Sequence, residues 1–360
     1  MYRTIKSKAL CFASLVVAGQ ASAQSGTQIY GLIDMSMYSQ QLSGQSRVNS
    51  LTNGNVSSSY IGFRGSEDLG DGIKASFQLE SFFRADTGEI GRGGNTDTLF
   101  HRQAWVGLSS AELGTLRLGR TVSPGWQTII KYGPFGGPAN ISPIVMQAYQ
   151  PSSIHPMMTS RGASDGQWAN SVSYSSPVLS GFSVMAVYAP GENSPGGRRA
   201  GAMLNYEQGP LGAAVAVEKL SGMSLQAGAP APQLATQARP SYVATDDSTV
   251  NAALSYDLTS VKLFGQVART NLTNTTSSEI KFTTTQLGAS IPLGVAKFTL
   301  AWGRTEKQQT ATADLRRDTV SAAYTYFLSK RTDLYAVYLN DKVTNLSRGN
   351  GLALGLRHVF

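Results

Sequence analysis

Apolar and polar residues alternate with a period of two in segment after segment of this chain. In the segment 72–84, the odd-numbered positions from Ile73 to Leu79 are apolar, whereas the even-numbered positions from Lys74 to Glu80 are polar. A helix would instead repeat about every 3.6 residues, so the pattern predicts β-strands. Sixteen strands are predicted in this way: 27–38, 58–66, 72–84, 100–109, 114–120, 168–175, 181–189, 198–207, 212–219, 248–257, 260–270, 282–292, 295–305, 317–328, 332–342 and 349–360.

The connections between these segments alternate in length along the chain. One set is short and rich in turn residues: 67–71, 110–113, 176–180, 208–211, 258–259, 293–294 and 329–331. The other set is longer: 39–57, 85–99, 121–167, 190–197, 220–247, 271–281, 306–316 and 343–348. Short turns at one end and long loops at the other are typical of membrane barrels. The sequence therefore predicts an all-β fold, a 16-stranded antiparallel transmembrane β-barrel.

The last predicted strand, 349–360, has two distinct faces. The alternating leucines from Leu352 to Leu356 and the aromatic Phe360 fall on one face, whereas Ala353 and Arg357 fall on the other. A closed membrane barrel must pair its last strand with its first, because an open edge would leave backbone groups without hydrogen bonds. We therefore expect this strand to close the barrel.

Composition is compatible with this architecture. Charged residues make up 14% of the chain, and the mean hydropathy is −0.13. No run of eighteen apolar residues lies beyond the N-terminal region, which argues against helical spans. Strands that alternate between lumen and lipid average to neutral hydropathy, so a barrel remains consistent.

The N-terminal region has the pattern of a secretory signal peptide. Basic residues come first, residues 9–18 form an apolar run, and Ala21-Ser22-Ala23 supplies small residues for cleavage. We expect a signal peptide over 1–23 and a barrel domain over 24–360. Cys11, the one cysteine of the chain, would leave with the signal, so the exported protein would carry no thiol that could mispair.

Charge and histidine content disfavour other functions. Without the three basic residues of the signal, 27 Lys and Arg face 22 Asp and Glu, and no basic run or aromatic-basic motif indicates nucleic acid. The histidines His101, His155 and His358 have no partner at a catalytic or metal-binding spacing. We therefore expect no enzymatic activity, no metal and no cofactor, although an outer-membrane hydrolase is the enzyme to weigh against this expectation.

Several motifs resemble those of the general porins of β-proteobacterial outer membranes. They are Tyr30-Gly31 followed by Asp34, the stretch 61–80, the strands 102–108 and 114–120, the pair 170–174 with 181–182, and the ending 357–360. The resemblance implies a homotrimer of sixteen-stranded barrels in the outer membrane, in contact with lipid and lipopolysaccharide. Small hydrophilic solutes and inorganic anions would diffuse through a water-filled channel.

The same resemblance implies roles in assembly. Phe360 matches the signal by which the barrel-assembly machinery recognises such chains. The first strands would pack against the neighbouring subunits, and we expect the small residues Gly31, Ala75 and Gly107 to face outward there.

The longest connection, 121–167, corresponds to the third loop of these porins, which folds inward and narrows the channel. We expect a long functional loop without secondary structure of its own. No Asp or Glu occurs from Leu113 to Ser164, whereas Lys131 and Arg161 lie within that window. The resemblance therefore predicts a pore-constricting loop with positive potential.

Specific constriction residues follow from the resemblance. Arg102 matches an arginine that projects into the constriction, Glu80 a glutamate on the strand opposite, and Arg161 a further arginine. Tyr60 stands where relatives carry an arginine, and Arg64 is placed to compensate in part. Secondary lumen-wall positions are Asp34, Lys74, Arg84, Arg117, Arg120 and Lys131. Because fixed charges in a narrow low-dielectric channel focus the field, this set predicts a preference for anions.

Two other functions stay open from the sequence. A substrate-specific porin is compatible with Tyr60 and with the aromatic and methionine residues of the third loop. A structural or adhesive barrel would have a narrow lumen, with its function in the long loops.

Overall fold

The computed structural model describes residues 26–91, 98–137, 140–148, 166–192, 197–221, 244–274, 279–309 and 314–360. Within these ranges the chain forms seventeen strands and two helices. The strands are β1 Gln28–Gln40, β2 Val48–Asn53, β3 Tyr60–Gly70, β4 Ile73–Phe82, β5 Gln103–Ser110, β6 Gly114–Val122, β7 Gln167–Ser175, β8 Phe182–Ala189, β9 Arg198–Gln208, β10 Leu211–Ser221, β11 Ala244–Asp257, β12 Lys262–Asn274, β13 Glu279–Leu293, β14 Ala296–Gln309, β15 Leu315–Phe327, β16 Thr332–Val343 and β17 Gly349–Val359. The helices are α1 Pro124–Lys131 and α2 Pro143–Ala148.

All neighbouring strands are antiparallel and the sheet closes on itself. β1 pairs with β17 in a register that runs from Leu32 opposite Val359 to Gln40 opposite Gly351. On its other side β1 pairs with β2 along one half of its length and with β3 along the other half. β2 and β3 thus share one position in the wall, which gives the predicted sixteen-stranded barrel.

β2 was not expected, because 39–57 was predicted to be a loop. The thirteen residues of β1 extend beyond β3, and β2 supplies the partner for the extension. The sequence of β2, VNSLTN, is mostly polar and gives no clear alternation. Between β2 and β3, residues 54–59 turn into the barrel and are buried.

The alternation in the strands separates an outer from an inner face. On β17 the outward leucines Leu352, Leu354 and Leu356 are exposed, whereas Ala353 between them is buried. The expectation that Gly107 faces outward is wrong. Gly107 pairs with Arg117 and Ser76 on the inner face, while its neighbours Val106 and Leu108 are exposed on the outer face.

Short turns connect strand pairs at the barrel end that contains Phe360, as predicted. In the turn between β3 and β4, Gly70 and Gly72 have positive φ angles, which glycine adopts without strain, and Asp71 between them lies in the left-handed region that Asp tolerates. Gly114 is more constrained, because its φ is +84° and a Cβ there would approach the carbonyl oxygen of Ser175 to 2.3 Å.

The third long loop contains the two helices, whereas we expected no secondary structure in it. Ser123 caps α1 by accepting a hydrogen bond from the backbone N–H of Trp126, and Pro124 occupies the first helical turn. Both helices have mainly buried residues, because they lie inside the barrel. In the described part of the chain, no helix has the length and apolarity that a membrane span requires.

Candidate functional site

Hydrogen bonds to β9 and β10 hold α1 against the inner wall. The N–H of Gly125 donates to the Glu218 carboxylate at 2.7 Å. At the other end of the helix, the hydroxyl of Tyr132 donates to Asn205 Oδ1 at 2.7 Å and the Ala213 carbonyl at 3.0 Å. Burial, with a further contribution from Glu207, raises the pKa of Tyr132, so its hydroxyl keeps the proton that it donates.

A second group of contacts holds α2 against β13 to β15. The side-chain amide of Gln147 donates to the carbonyls of Gly303 and Arg317 and to the Thr319 hydroxyl. Its oxygen accepts a hydrogen bond from Thr305 at 2.9 Å. All donors and acceptors of one side chain are thus used to fix the third loop.

Apolar contacts complete the attachment of this loop. Trp126 and Ile129 of α1 form a buried cluster with Ile144 and Val145 of α2. A separate buried cluster joins Phe135 and Ile141 of the loop to inward residues of β1 and β14 to β17. The described part of the loop therefore occupies the lumen along β9 to β17, and the remaining space lies beside β4 to β9.

This remaining space is a cavity of about 390 Å³ between α1 and the wall. Three cationic residues line it: Arg102, Arg117 and Lys131. Among the described residues on its lining there is no Asp or Glu. The charged side chains on this lining are thus all positive, although Arg102 and Lys131 are paired with Glu80 and Glu207, which lie outside the lining.

Glu80 lies behind this lining and is 2% exposed. Its carboxylate accepts hydrogen bonds from Tyr30 at 2.6 Å and Gln78 at 2.8 Å, and from Gln103 at 3.0 Å. Arg102 adds an ion pair to the same carboxylate. Buried carboxylates are stable when charge and hydrogen bonds satisfy them in this way. Glu80 and Arg102 are direct neighbours, not residues on opposite walls as the sequence led us to expect.

Tyr60 forms part of an aromatic stack around Arg102. The guanidinium carbon of Arg102 lies 4.2 Å from the centre of the Tyr60 ring and 5.3 Å from that of Phe82. Tyr30 packs edge-on against Tyr60, and Arg64 lies 4.6 Å from the centre of the Tyr30 ring. Tyr60 therefore positions Arg102 through cation–π contact, in place of a second charge.

Arg117 differs from Arg102 in its surroundings. It projects inward from β6, its guanidinium carbon lies 5.1 Å from the centre of the Trp105 ring, and it donates to Ser175 at 3.3 Å. Within the described ranges, Arg117 forms no ion pair with an acidic residue. Lys131, by contrast, forms a 2.6 Å ion pair with Glu207.

Three of the other predicted residues lie away from the cavity. Asp34 is completely buried and accepts hydrogen bonds from the backbone N–H groups of Val56 and Ser57. Lys74 is exposed near a short turn, and Arg84 forms ion pairs within the second long loop. These positions indicate structural or peripheral roles.

The prediction that Arg120 lies on the lumen wall is corrected by the strand register. Arg120 pairs with Ala104 and follows Leu116 and Leu118, both exposed on the outer face. Because side chains alternate along a strand, Arg117 and Arg120 point to opposite faces. Arg161 and the predicted signal peptide 1–23 lie outside the described residues.

Some residues of the cluster were missed from the sequence. Tyr30, Gln103, Trp105 and Phe82 contribute hydrogen bonds or ring contacts to the predicted charges. The alternation of side chains along β4 and β5 could have placed Gln103 and Trp105 on the inner face of the wall. The convergence of β1, β4 and β5 on one carboxylate requires the three-dimensional register.

Comparison with known proteins agrees with this architecture. A model of the Gram-negative porin family matches residues 9–346. The chain belongs to that family. It is 28% identical over 391 residues to Outer membrane porin protein 32 of Delftia acidovorans, covering 99% of this chain and all of that protein. It is 30% identical over 412 residues to an outer membrane porin protein of Bordetella pertussis, with 98% and 100% coverage.

Solved structures show the same barrel. The anion-selective porin from Comamonas acidovorans superposes with a TM-score of 0.75 at 26% identity, covering 93% of this chain and 100% of that one. OmpF of Salmonella typhi superposes with a TM-score of 0.67 at 16% identity, a likeness of fold. The resemblance inferred from the sequence motifs is confirmed, and the protein is an outer-membrane porin of a Gram-negative bacterium.

Proposed function

We propose that this porin is a passive diffusion channel for small hydrophilic solutes and that it favours anions over cations. The observation that carries the proposal is the lining of the cavity beside α1, where the charged side chains are all positive. Arg117 forms no ion pair with a described acidic residue, and the carboxylates paired with Arg102 and Lys131 lie outside the lining. Fixed charge in a narrow channel with low-dielectric walls raises the local concentration of ions of opposite sign. Inorganic anions are therefore the favoured ions.

Two further observations support the proposal. The window from Leu113 to Ser164 contains no Asp or Glu, so the third loop as far as Ser164 has only positive charges. The porin from Comamonas acidovorans, similar over the full barrel at 26% identity, is described as anion-selective. In this proposal the loop 121–167 constricts the pore.

The wider assignment also belongs to this proposal. Residues 1–23 direct export, the barrel-assembly machinery inserts the folded chain next to lipid and lipopolysaccharide, and three copies associate. Ala75 on the outer face of β4 leaves room for close contact with a neighbouring subunit, whereas the Phe360 ring covers Gly31 on β1. Chemical cross-linking in mild detergent tests this association, and a product limited to the monomer contradicts it.

The decisive experiment is a planar-bilayer measurement in a potassium chloride gradient. The full-length protein is expected to give steps of conductance and a zero-current potential with the sign of anion preference. The preference should decrease at 1 M salt, where the Debye length is about 3 Å. A zero-current potential of the opposite sign would refute the anion preference, and a bilayer without conductance steps would refute the channel itself.

A further inference from the structure

We infer that the cavity beside α1 is a binding site for small amphipathic carboxylates, in which Arg117 receives the carboxylate and an apolar wall receives the organic part. The inference rests on the proposed channel function and adds a class of solute to it.

Arg117 provides the charged half of this site. Its guanidinium is held by the Trp105 ring and by Ser175, and no acidic residue of the described chain neutralises it. An arginine offers five N–H donors, and one hydrogen bond to Ser175 leaves most of them for a ligand. A planar guanidinium with free N–H donors and no acidic partner is suited to bind a carboxylate through two parallel hydrogen bonds.

Ser173 is an independent indication of a polar ligand. It lies directly opposite Arg117 in the pairing of β6 with β7, it lines the cavity, and it is 1% exposed. Its Oγ has no hydrogen-bond partner among the described residues. A buried hydroxyl without a partner is costly, and an oxygen of a bound anion beside Arg117 would accept its hydrogen bond.

Gly107 gives Arg117 the room to take this position. It pairs with Arg117 on the inner face of the neighbouring strand. A Cβ at Gly107 would lie 2.5 Å from the Leu116 carbonyl oxygen and 3.1 Å from Cγ of Arg117. The arginine stem thus lies flat on a glycine, with its head beside Trp105.

Apolar side chains also line the cavity, together with polar ones such as Asn205. Trp126 and Ile130 of α1, with Met185 of β8 and Met203 of β9, line the same space as Arg117. Apolar walls with a few polar groups that fix orientation are typical of small-ligand sites. A chloride or phosphate ion gains nothing from such a wall, whereas a carboxylate on a ring or a branched chain buries its apolar surface there. Methionine side chains adapt to such groups.

The test is inhibition of the chloride current through the full-length wild-type porin in planar bilayers. Three probes are compared. Benzoate carries both a negative charge and a ring, acetate carries only the charge, and benzyl alcohol carries only the ring. Benzoate is expected to reduce the current with saturation, at a half-blocking concentration about tenfold below those of the other two probes. Equal effects of acetate and benzoate, or no saturation with benzoate, would overturn the inference.

Variants locate the site. Arg117→Gln should raise the half-blocking concentration of benzoate about tenfold, because it removes a charge-assisted hydrogen bond. Met203→Asn should weaken the block by benzoate without changing the block by acetate. The control Lys74→Gln removes a positive charge outside the cavity and should leave the block unchanged. An unchanged block in Arg117→Gln would place the binding elsewhere and contradict the assignment.

The probe comparison uses only the wild-type protein, so it decides the inference even if a variant fails to fold. The two proposals also fail differently. A channel with normal conductance and no benzoate block contradicts the binding site alone, whereas the absence of conductance contradicts the channel function.

Discussion

Arg102 and Glu80 form an ion pair on one wall of the barrel, between the start of β5 and the inner face of β4. The carboxylate is 2% exposed, whereas the arginine side chain is 18% exposed and borders the cavity. The positive charge of Arg102 is therefore largely compensated. It follows that the charge of Glu80 controls how much of the arginine's field reaches a passing ion.

Glu80→Gln should strengthen the preference for anions. The substitution keeps a side chain of similar shape but leaves the Arg102 charge uncompensated, so the potential in the cavity becomes more positive. The zero-current potential in a salt gradient should move further in the anion direction. Glu112→Gln, in an exposed turn, is the matched control and should change little. A shift towards cations in Glu80→Gln would contradict the compensation.

Arg102→Glu should shift the zero-current potential towards cation preference. It would also place two carboxylates side by side beneath the Tyr60 and Phe82 rings, so we expect a loss of about 3 kcal/mol in unfolding free energy. The measurements are bilayer recordings and urea unfolding in lipid vesicles. In the double variant Glu80→Gln with Arg102→Glu, the stability loss should be partly recovered. Full additivity of the two single changes would show that the residues are not coupled.

The strands of this porin could be predicted because alternation is a local property of the sequence. The segment around Phe77 shows it, and so does the terminal strand with Leu354. Helix α1 also had a local signal, since Ser123 followed by Pro124 is a common helix start. The helix was nevertheless not predicted, because the whole connection 121–167 was predicted to be a loop.

Other features depend on contacts between distant residues. The four donors to Glu80 come from β1, β4, β5 and the residue before β5, and no local pattern brings them together. Strict alternation from Gln103 would place Arg102 on the outer face, but Arg102 precedes the strand and points inward. Asp34 likewise could be assigned to the inner face, but not to the buried turn at 54–59 that it stabilises.

Tyr335→Phe should destabilise the barrel by about 1.5–3 kcal/mol, the usual value for a hydrogen bond to a charged group. The Tyr335 hydroxyl on β16 donates to the Asp34 carboxylate on β1, which has no exposure to water that could replace the lost donor. Equilibrium unfolding in lipid vesicles measures the change. Tyr338→Phe on the same strand is the control, since Tyr338 is 47% exposed on the outer face. Equal effects of the two substitutions would contradict a specific role of the buried hydrogen bond.

Gln147→Leu should loosen α2 from the wall without unfolding the barrel. The substitution removes four hydrogen bonds to β14 and β15, while the apolar contacts of Ile144 and Val145 with α1 remain. Amide hydrogen exchange in α2 should become at least about tenfold faster, and open-channel current noise should increase. Gln308→Leu, near the end of β14, is the control for the change in side-chain polarity. Unchanged exchange in α2 would mean that the remaining contacts, the apolar cluster and the hydrogen bond from the Ile144 N–H to Gln286, hold the loop without Gln147.

Phe360 is expected to act in assembly through both its backbone and its ring. Its N–H and C=O exchange hydrogen bonds of 3.1 Å with Gly31 on β1, and its ring lies over Gly31, where an added Cβ would approach it to 2.5 Å. Deletion of Phe360 should lower the yield of heat-modifiable folded porin in the outer membrane, without reducing export across the inner membrane.

Phe360→Ala preserves the two backbone hydrogen bonds and removes only the ring, so it separates the two contributions. If the ring is the feature recognised during assembly, Phe360→Ala should lower the folded yield as much as the deletion does, whereas Phe360→Trp should retain it. Folded yields that match the wild-type protein in both the deletion and the alanine variant would contradict an assembly role for this residue.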